Sequence, residues 1–278
     1  MLYLETMGRQ RELQMSILRY GIIDITNSFR KYDLIRMLGR QYMVLRYRRS
    51  KLGPFWITIS MGIQILTLGL IFGQLFGASI HKFFPFLAIG IILWNYITAV
   101  ISEGSTSFIS STGLITQLEL PIAFYFFCRV WTSFLFLLHN AVIIPFVFIV
   151  MWYPLSWKAV LAVPGFLLLT ANVSWMGMVS AIFCTRFRDF PQLITSVLQI
   201  FFYVTPIMWM PELMPQRVGR LLLNMNPFHH LISVVRDPIL GIIPGLENYL
   251  ICCIMAIAGW IGTTIFLGRY RDRIAYWL

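Results

Sequence analysis

Six runs of predominantly apolar residues divide the chain, at about 55–76, 84–102, 122–152, 158–185, 191–210 and 247–268. Crossing a hydrocarbon core ~30 Å thick takes a helix of roughly 20 apolar residues, and each run is of about that length or more. The third and fourth exceed the need, so tilt or protrusion is expected there. The pattern predicts an all-α integral membrane protein with six transmembrane helices.

Ahead of the first run, Leu34, Ile35, Leu38, Tyr42 and Leu45 recur at helical spacing, while Arg30, Lys31, Arg36 and Arg40 take other positions. This is the pattern of a basic amphipathic helix lying in the membrane interface. Gly53-Pro54 ends it and turns the chain into the first run. The expected organisation is an N-terminal extension over 1–27, a cytoplasmic amphipathic interfacial helix over 28–53 and a six-helix transmembrane domain over 54–278. In the first run Gly69, Gly73 and Gly77 share one helix face. Small residues so spaced allow close helix approach, within the chain or at a dimer seam.

Segment 211–246 is too apolar for a plain loop and too broken for a span. Pro211, Pro215, Pro227, Pro238 and Pro244 interrupt it, with Gly219, Gly241 and Gly245. A pair of short re-entrant or surface helices on the outer face fits, since irregular backbone at membrane depth needs protein or a water-filled cavity to satisfy it. The segment is a candidate exit gate.

Composition agrees with the pattern. Of the 278 residues 58% are hydrophobic and 12% charged, with a mean hydropathy of +0.75, too few charges to clothe a soluble surface. The net charge of +11 sits where a membrane protein keeps it. With both ends inside, 16 of the 22 Lys and Arg fall on the inner pieces and five on the outer ones. That bias predicts cytoplasmic N- and C-termini and argues against nucleic acid as a partner. No secretory leader is expected, because about fifty polar and basic residues precede the first apolar run. Cys128, Cys184, Cys252 and Cys253 lack metal-ligand spacing and read as small packing residues.

Candidate chemistry is sparse. The chain has no G-x-x-x-x-G-K-[S/T] phosphate loop, no H-E-x-x-H and no G-x-S-x-G, and its apolar runs hold no acid beyond Glu247 at the edge of the sixth. Catalytic residues, a metal and a cofactor on this chain are therefore not expected, and an ion-coupled carrier loses ground. Arg129, about two turns into the third run, is either a functional charge or a side chain that snorkels to the inner surface, the favoured reading. His139, deeper in the same run, reads as a neutral helix contact. Trp56, Trp152, Trp157 and Trp209 sit at run ends, as interfacial aromatics do. Trp94, Tyr96, Trp131, Trp175, Phe201, Phe202 and Tyr203 lie inside the runs, where rings either pack or offer apolar faces to a passing sugar polymer.

Tyr47-Arg48-Arg49-Ser50-Lys51-Leu52-Gly53-Pro54-Phe55-Trp56 resembles the entry to the first span of ABC-2 type polysaccharide export permeases, which serve O-antigen, capsule and teichoic acid export. Ile71-Phe72-Gly73-Gln74-Leu75-Phe76-Gly77 at the end of that span is similar too. So are Arg188-Asp189 between spans four and five, and Thr205-Pro206-Ile207, Asn226-Pro227-Phe228, Arg236-Asp237 and Gly241 further on. The likeness runs in order from about residue 28 to the C-terminus. It departs at Gln117-Leu118-Glu119-Leu120-Pro121, where the family often has a basic residue before the proline and this chain has Glu119.

The resemblance implies a half-transporter that dimerises and binds two copies of a separate ABC ATPase subunit, which carries the ATP and Mg. Loop 103–121 with Glu119, turn 186–190 with Arg186, Arg188 and Asp189, and the interfacial helix would receive its stroke. The implied cargo is a polysaccharide on a polyprenyl diphosphate in the bacterial inner membrane. Arg46, Arg48, Arg49 and Lys51 would meet the diphosphate, although fixing topology explains the same charges equally well. Pro206, Asn226, Pro227, Arg236 and Asp237 would form the outer gate. Two other readings remain open: an ABC-2 permease for a drug or lipid, and a membrane-embedded glycosyl or acyl transferase.

Overall fold

The computed structural model describes residues 17–48, 53, 55–77, 79–211 and 223–278. Among them every regular element is a helix. Arg49 and Lys51, Pro54 of the entry motif, residues 1–16 of the extension and 212–222 of the outer segment lie outside the described residues.

The N-terminal helical stretch begins earlier than the amphipathic pattern indicates. Residues 17–30 form a first helix, α1, broken only by a turn at Lys31 before α2, Tyr32–Tyr47. α2 buries Ile35, Gly39 and Met43, one side of a helix otherwise exposed. It lies along α7, Ile122–Ala141. The contact is close at Gly39, where a Cβ would meet the Trp131 ring at 2.6 Å, and the Gly39 carbonyl accepts from the Thr132 hydroxyl at 3.1 Å.

Among the described residues, five helical segments are long and apolar enough to cross a membrane. They are α3 (Phe55–Leu75), α4 (Ile80–Ser105), Ile122–Val150, Trp157–Arg186 and the last helix, Leu246–Trp277. α4 is the central one, buried along most of its length, with Phe83, Leu87, Ile89, Ile97 and Val100 wholly enclosed. α3 packs on it through glycine: a Cβ at Gly69 would meet the Phe84 ring at 2.6 Å, which answers part of the glycine stripe within the chain. Gly77 ends the stripe at φ +58°, the left-handed conformation that closes a helix.

The third crossing is interrupted after Ala141, where α7 gives way to α8, Ile143–Val150. Pro145 has no N–H to return to the Ala141 carbonyl, which explains the break. A 3₁₀ turn, Trp157–Leu161, capped by Ser156, opens the fourth crossing and runs into α9, Ala162–Arg186. Two single-turn helices, α5 (Ser107–Ser110) and α6 (Thr112–Ile115), lie in the inside loop.

The fifth apolar run differs from expectation. It folds as α10, Phe190–Val204, only 15 residues. At ~1.5 Å per residue this spans roughly 22 Å, short of the hydrocarbon core. Thr205 precedes Pro206, which disfavours the helical conformation, and it turns extended at ψ 138°. A second short helix, α11 (Pro227–Ile239), follows, with nine of its 13 residues buried. Of the expected pair of short helices in this segment, α11 is the one that the described residues contain. α12, Leu246–Trp277, runs 32 residues without a break, about nine beyond the expected sixth run.

Candidate functional site

The residues of the expected outer gate are hydrogen-bonded to one another. Asn226 caps α11, its carbonyl oxygen accepting from the Phe228 and His229 N–H groups at 3.0 and 3.4 Å. Its amide donates to the Thr205 hydroxyl at 2.9 Å. Pro227 takes the first helical position, where its missing N–H costs nothing. One helical stretch on, Arg236 donates to the Pro206 carbonyl at 2.6 Å. Its guanidinium lies 4.0 Å from the centre of the Phe86 ring and 3.6 Å from Asp237. Arg236 is 2% exposed, so the charge is committed to these partners. The break at the end of α10 is therefore tied at both ends of α11.

The expected channel aromatics do not form one lining. Trp94 lies 5.8 Å from Phe202 and 5.4 Å from Phe228, and Phe201 is 4.9 Å from Phe228, so three of the seven meet around the start of α11. Tyr203 beside them is exposed. Tyr96 turns to Phe166 and to the Thr170 hydroxyl at 3.1 Å. Trp131 packs on Tyr32 and Phe134, and Trp175 on Gly259 of α12 while donating to Asn172 at 3.1 Å.

The residues expected to meet the ATPase fall into two groups joined by α12. Arg188 donates to the carbonyls of Trp277 and Leu278, and the Arg186 guanidinium lies 5.5 Å from the centre of the Trp277 ring. Asp189 stands at the N-cap of α10 without a side-chain capping bond. Glu119 lies elsewhere, lining a cavity of about 760 Å³ with Asp24, Arg30, Lys31 and Arg271.

Asp24 is the residue that sequence reasoning missed. α7 begins after Pro121, whose side chain cannot cap, and four N–H groups at a helix start need partners. Asp24 supplies two from a distance, accepting from Ile122 at 3.1 Å and Ala123 at 2.8 Å. Arg271 of α12 lies 3.6 Å from the same carboxylate. Burial raises the Asp24 carboxyl above its ordinary value, the two N–H groups and Arg271 pulling the other way. The helices around it approach without side chains between them. A Cβ at Gly21 would overlap the Thr264 carbonyl, and one at Gly268 the Ile17 carbonyl. The only sequence signal was an uncapped helix start at Pro121.

Of the expected headgroup residues, Arg46 is paired with Glu103 at 2.7 Å, a hydrogen bond that raises the guanidinium value further. Arg48 is exposed. Arg129 reaches the inside loop, donating to Ser110 at 3.0 Å with its guanidinium 4.1 Å from the Tyr42 ring centre. His139 bonds the Leu135 carbonyl of its own helix at 2.8 Å.

Known proteins share this sequence pattern. The sequence profile of the family described as ABC-2 type transporter matches residues 33–240. An O-antigen export system permease protein RfbA of Klebsiella pneumoniae is 26% identical over 245 residues, 86% of this chain and 92% of its own length. A protein of the same name from Myxococcus xanthus is 24% identical over 203 residues, 72% of this chain and 77% of its own.

Proposed function

The chain belongs to the ABC-2 type transporter family, and from that premise we propose that it is the permease of an ATP-driven exporter moving lipid-linked polysaccharide out of the cytoplasm. The observation that carries the reading is the alignment with O-antigen export permeases over most of the chain. ATP and Mg belong to a separate ABC ATPase, two copies of which bind a homodimer of this chain. Exposed apolar residues on α3 (Ile59, Ile63, Leu66, Leu70) and α10 (Leu193, Val197, Ile200) offer faces for lipid or the second copy. The protein sits in the bacterial inner membrane with both termini cytoplasmic, as its basic residues favour. α10 with the outer segment completes a sixth crossing, and α2 lies in the interface. Loop 103–121 and turn 186–190 receive the ATPase stroke, and the tied break at Pro206 forms the outer gate.

The cargo is tested by depleting the chain in its native host. Lipid-linked polysaccharide should accumulate inside with synthesis intact. Normal surface polymer alongside loss of another exported compound would keep the family and refute the cargo.

Arg48, Arg49 and Lys51, with Arg46 beyond its bond to Glu103, meet the diphosphate at the inner leaflet. Replacing all four by glutamine is expected to cut export about tenfold or more, the scale of losing one charge-assisted contact. Cysteine-accessibility mapping should show the topology unchanged. Full export from that variant would leave these charges with topology alone.

A further inference from the structure

A second cavity, of about 290 Å³, opens between α2, α3, α4 and α7. Its mouth holds Arg46 and Glu103, and its wall continues inward past Ser60, Gln64 and Asn95 to Ser133 and Asn140. Helical spacing puts Ser60 with Gln64 on one face of α3, and Ser133 with Asn140 on one face of α7. Five uncharged polar side chains thus converge from three helices whose other residues are overwhelmingly apolar.

Two of them are unsatisfied. Ser133 Oγ and Asn140 Oδ1 are buried and have no hydrogen-bond partner among the described residues, the two residues being 1% and 5% exposed. Serines and threonines elsewhere in the spans bond the carbonyl four residues back, as Thr98, Thr132, Ser180 and Thr185 do. Ser133 makes no such bond. An orphaned polar atom at membrane depth is costly, so its retention in a cavity wall points to something that visits the cavity. Asn95 spends its amide on the Ile91 carbonyl at 3.0 Å, which leaves its own carbonyl oxygen as an acceptor.

The chemistry selects the visitor. Amides and hydroxyls offer both donors and acceptors, and no unpaired charge lies within. Arg46 and Glu103 pair at 2.7 Å, so the two charges at the mouth add no net charge to the cavity wall. Phe136, with Tyr47 edge-on at 6.3 Å, adds an apolar ring surface at the mouth. A neutral, hydroxyl-rich ring with one C–H face matches this set. The neighbouring cavity of about 490 Å³ between α3 and α8 is the contrast: Ile59, Ile63, Leu66 and Val147 line it, and it suits an acyl chain.

We propose that the cavity bounded by α2, α3, α4 and α7 binds a neutral monosaccharide unit, with the Arg46–Glu103 pair across its cytoplasmic mouth. The assignment rests on the polysaccharide reading and deepens it, since it gives the permease a sugar subsite within the membrane.

The full chain in lipid nanodiscs is exposed to octyl β-glycosides of glucose, galactose and mannose, and to tetraethylene glycol octyl ether, which has the same tail and no sugar. Concentrations stay below those that dissolve the disc. At least one glycoside should slow backbone hydrogen exchange over 57–64 and 133–140 about threefold, and the ether should not. Methyl glycosides separate the sources: a response to them as well places free sugar in the site, and a response to octyl glycosides alone restricts it to lipid-linked sugar. The double variant Ser133→Ala, Asn140→Leu removes both orphaned atoms at little change in volume. It should remain as thermally stable as the parent without sugar and lose the glycoside response. Equal slowing by glycoside and ether, an adventitious additive only, would overturn the assignment, as would a response that survives the double variant or no response to any of the three sugars. If the assignment fails while depletion still traps polymer inside, only the cavity is lost. If the polymer reaches the surface normally, the cargo reading fails with it.

Discussion

A valine at Gly165 is expected to cut export at least about tenfold while leaving the chain in the membrane, because overpacking of this kind costs on the order of 1–3 kcal/mol. Gly165 lies in α9 where α11 crosses it, and a Cβ there would overlap the Val234 carbonyl. The obstruction is backbone, which cannot rotate away as a side-chain tip can. α11 would have to shift, and it carries Arg236, whose bond to the Pro206 carbonyl ties down the end of α10. Losing that bond leaves a buried guanidinium short of a partner, one of the costlier defects a single change can cause. Gly262 has open space around it, so valine there is the matched control and should export normally. Surface polymer per cell, normalised to chain in the membrane fraction, reads both. Normal export from Gly165→Val would mean that α11 is not held where Pro206 needs it.

The second large effect is expected at Asp24, with the order of substitutions more telling than any one of them. Asp24→Ala strips two N–H groups at the start of α7 of their acceptor, a loss of about 1 kcal/mol for a helix cap. It also removes the counter-charge of Arg271. α1 should loosen, visible as faster hydrogen exchange over 17–30 and over the first turn of α7, with export reduced several-fold. Asp24→Asn keeps one carbonyl acceptor where the carboxylate offered two, so it should fall between Asp24→Ala and the parent. Full equivalence of Ala and Asn would refute capping as the role.

The raised carboxyl value gives this contact an unusual sign. Docked Asp24 binds its proton more tightly than undocked Asp24, so docking strengthens as pH falls from the raised value toward the ordinary 3.8, and the gain is lost above the raised value. Acid should therefore slow exchange across 17–30 beyond its chemical effect on the amides, and Asp24→Asn should abolish that excess.

Much of the architecture was legible because a membrane enforces long apolar runs, and those at 55–76, 84–102 and 158–185 lie almost wholly within single helices. The run at 191–210 misled for a physical reason. Hydropathy continues through Thr205-Pro206-Ile207-Met208, but the backbone cannot, since Pro206 turns Thr205 extended. Local chemistry was also readable in the outer segment, where Asn226-Pro227 carries the marks of a helix start. What the chain does across distance was not. Asp24 meets partners 98 and 99 residues away, and nothing in its neighbours' pattern announces it. Trp94 and Phe202 converge while Trp131 and Trp175 part company, because which ring faces which helix is decided by packing, not by position within an apolar run.

α12 has both ends engaged. Asn248, in its first turn, accepts from the His230 ring of α11 at 2.6 Å, while Arg271 and Trp277 touch Asp24 and Arg188 toward the other end. The helix that carries them is a rod of 32 residues with no proline and no break, about 48 Å long at the usual rise. Such a rod has no hinge in which to dissipate torque, so its two ends share one angular phase. One residue more or fewer between Cys253 and Gly268 would turn one set of contacts about 100° out of alignment with the other. The contacts at the two ends of α12 are in this sense geared together, and the spacing between them is as much a part of the machine as the residues that touch.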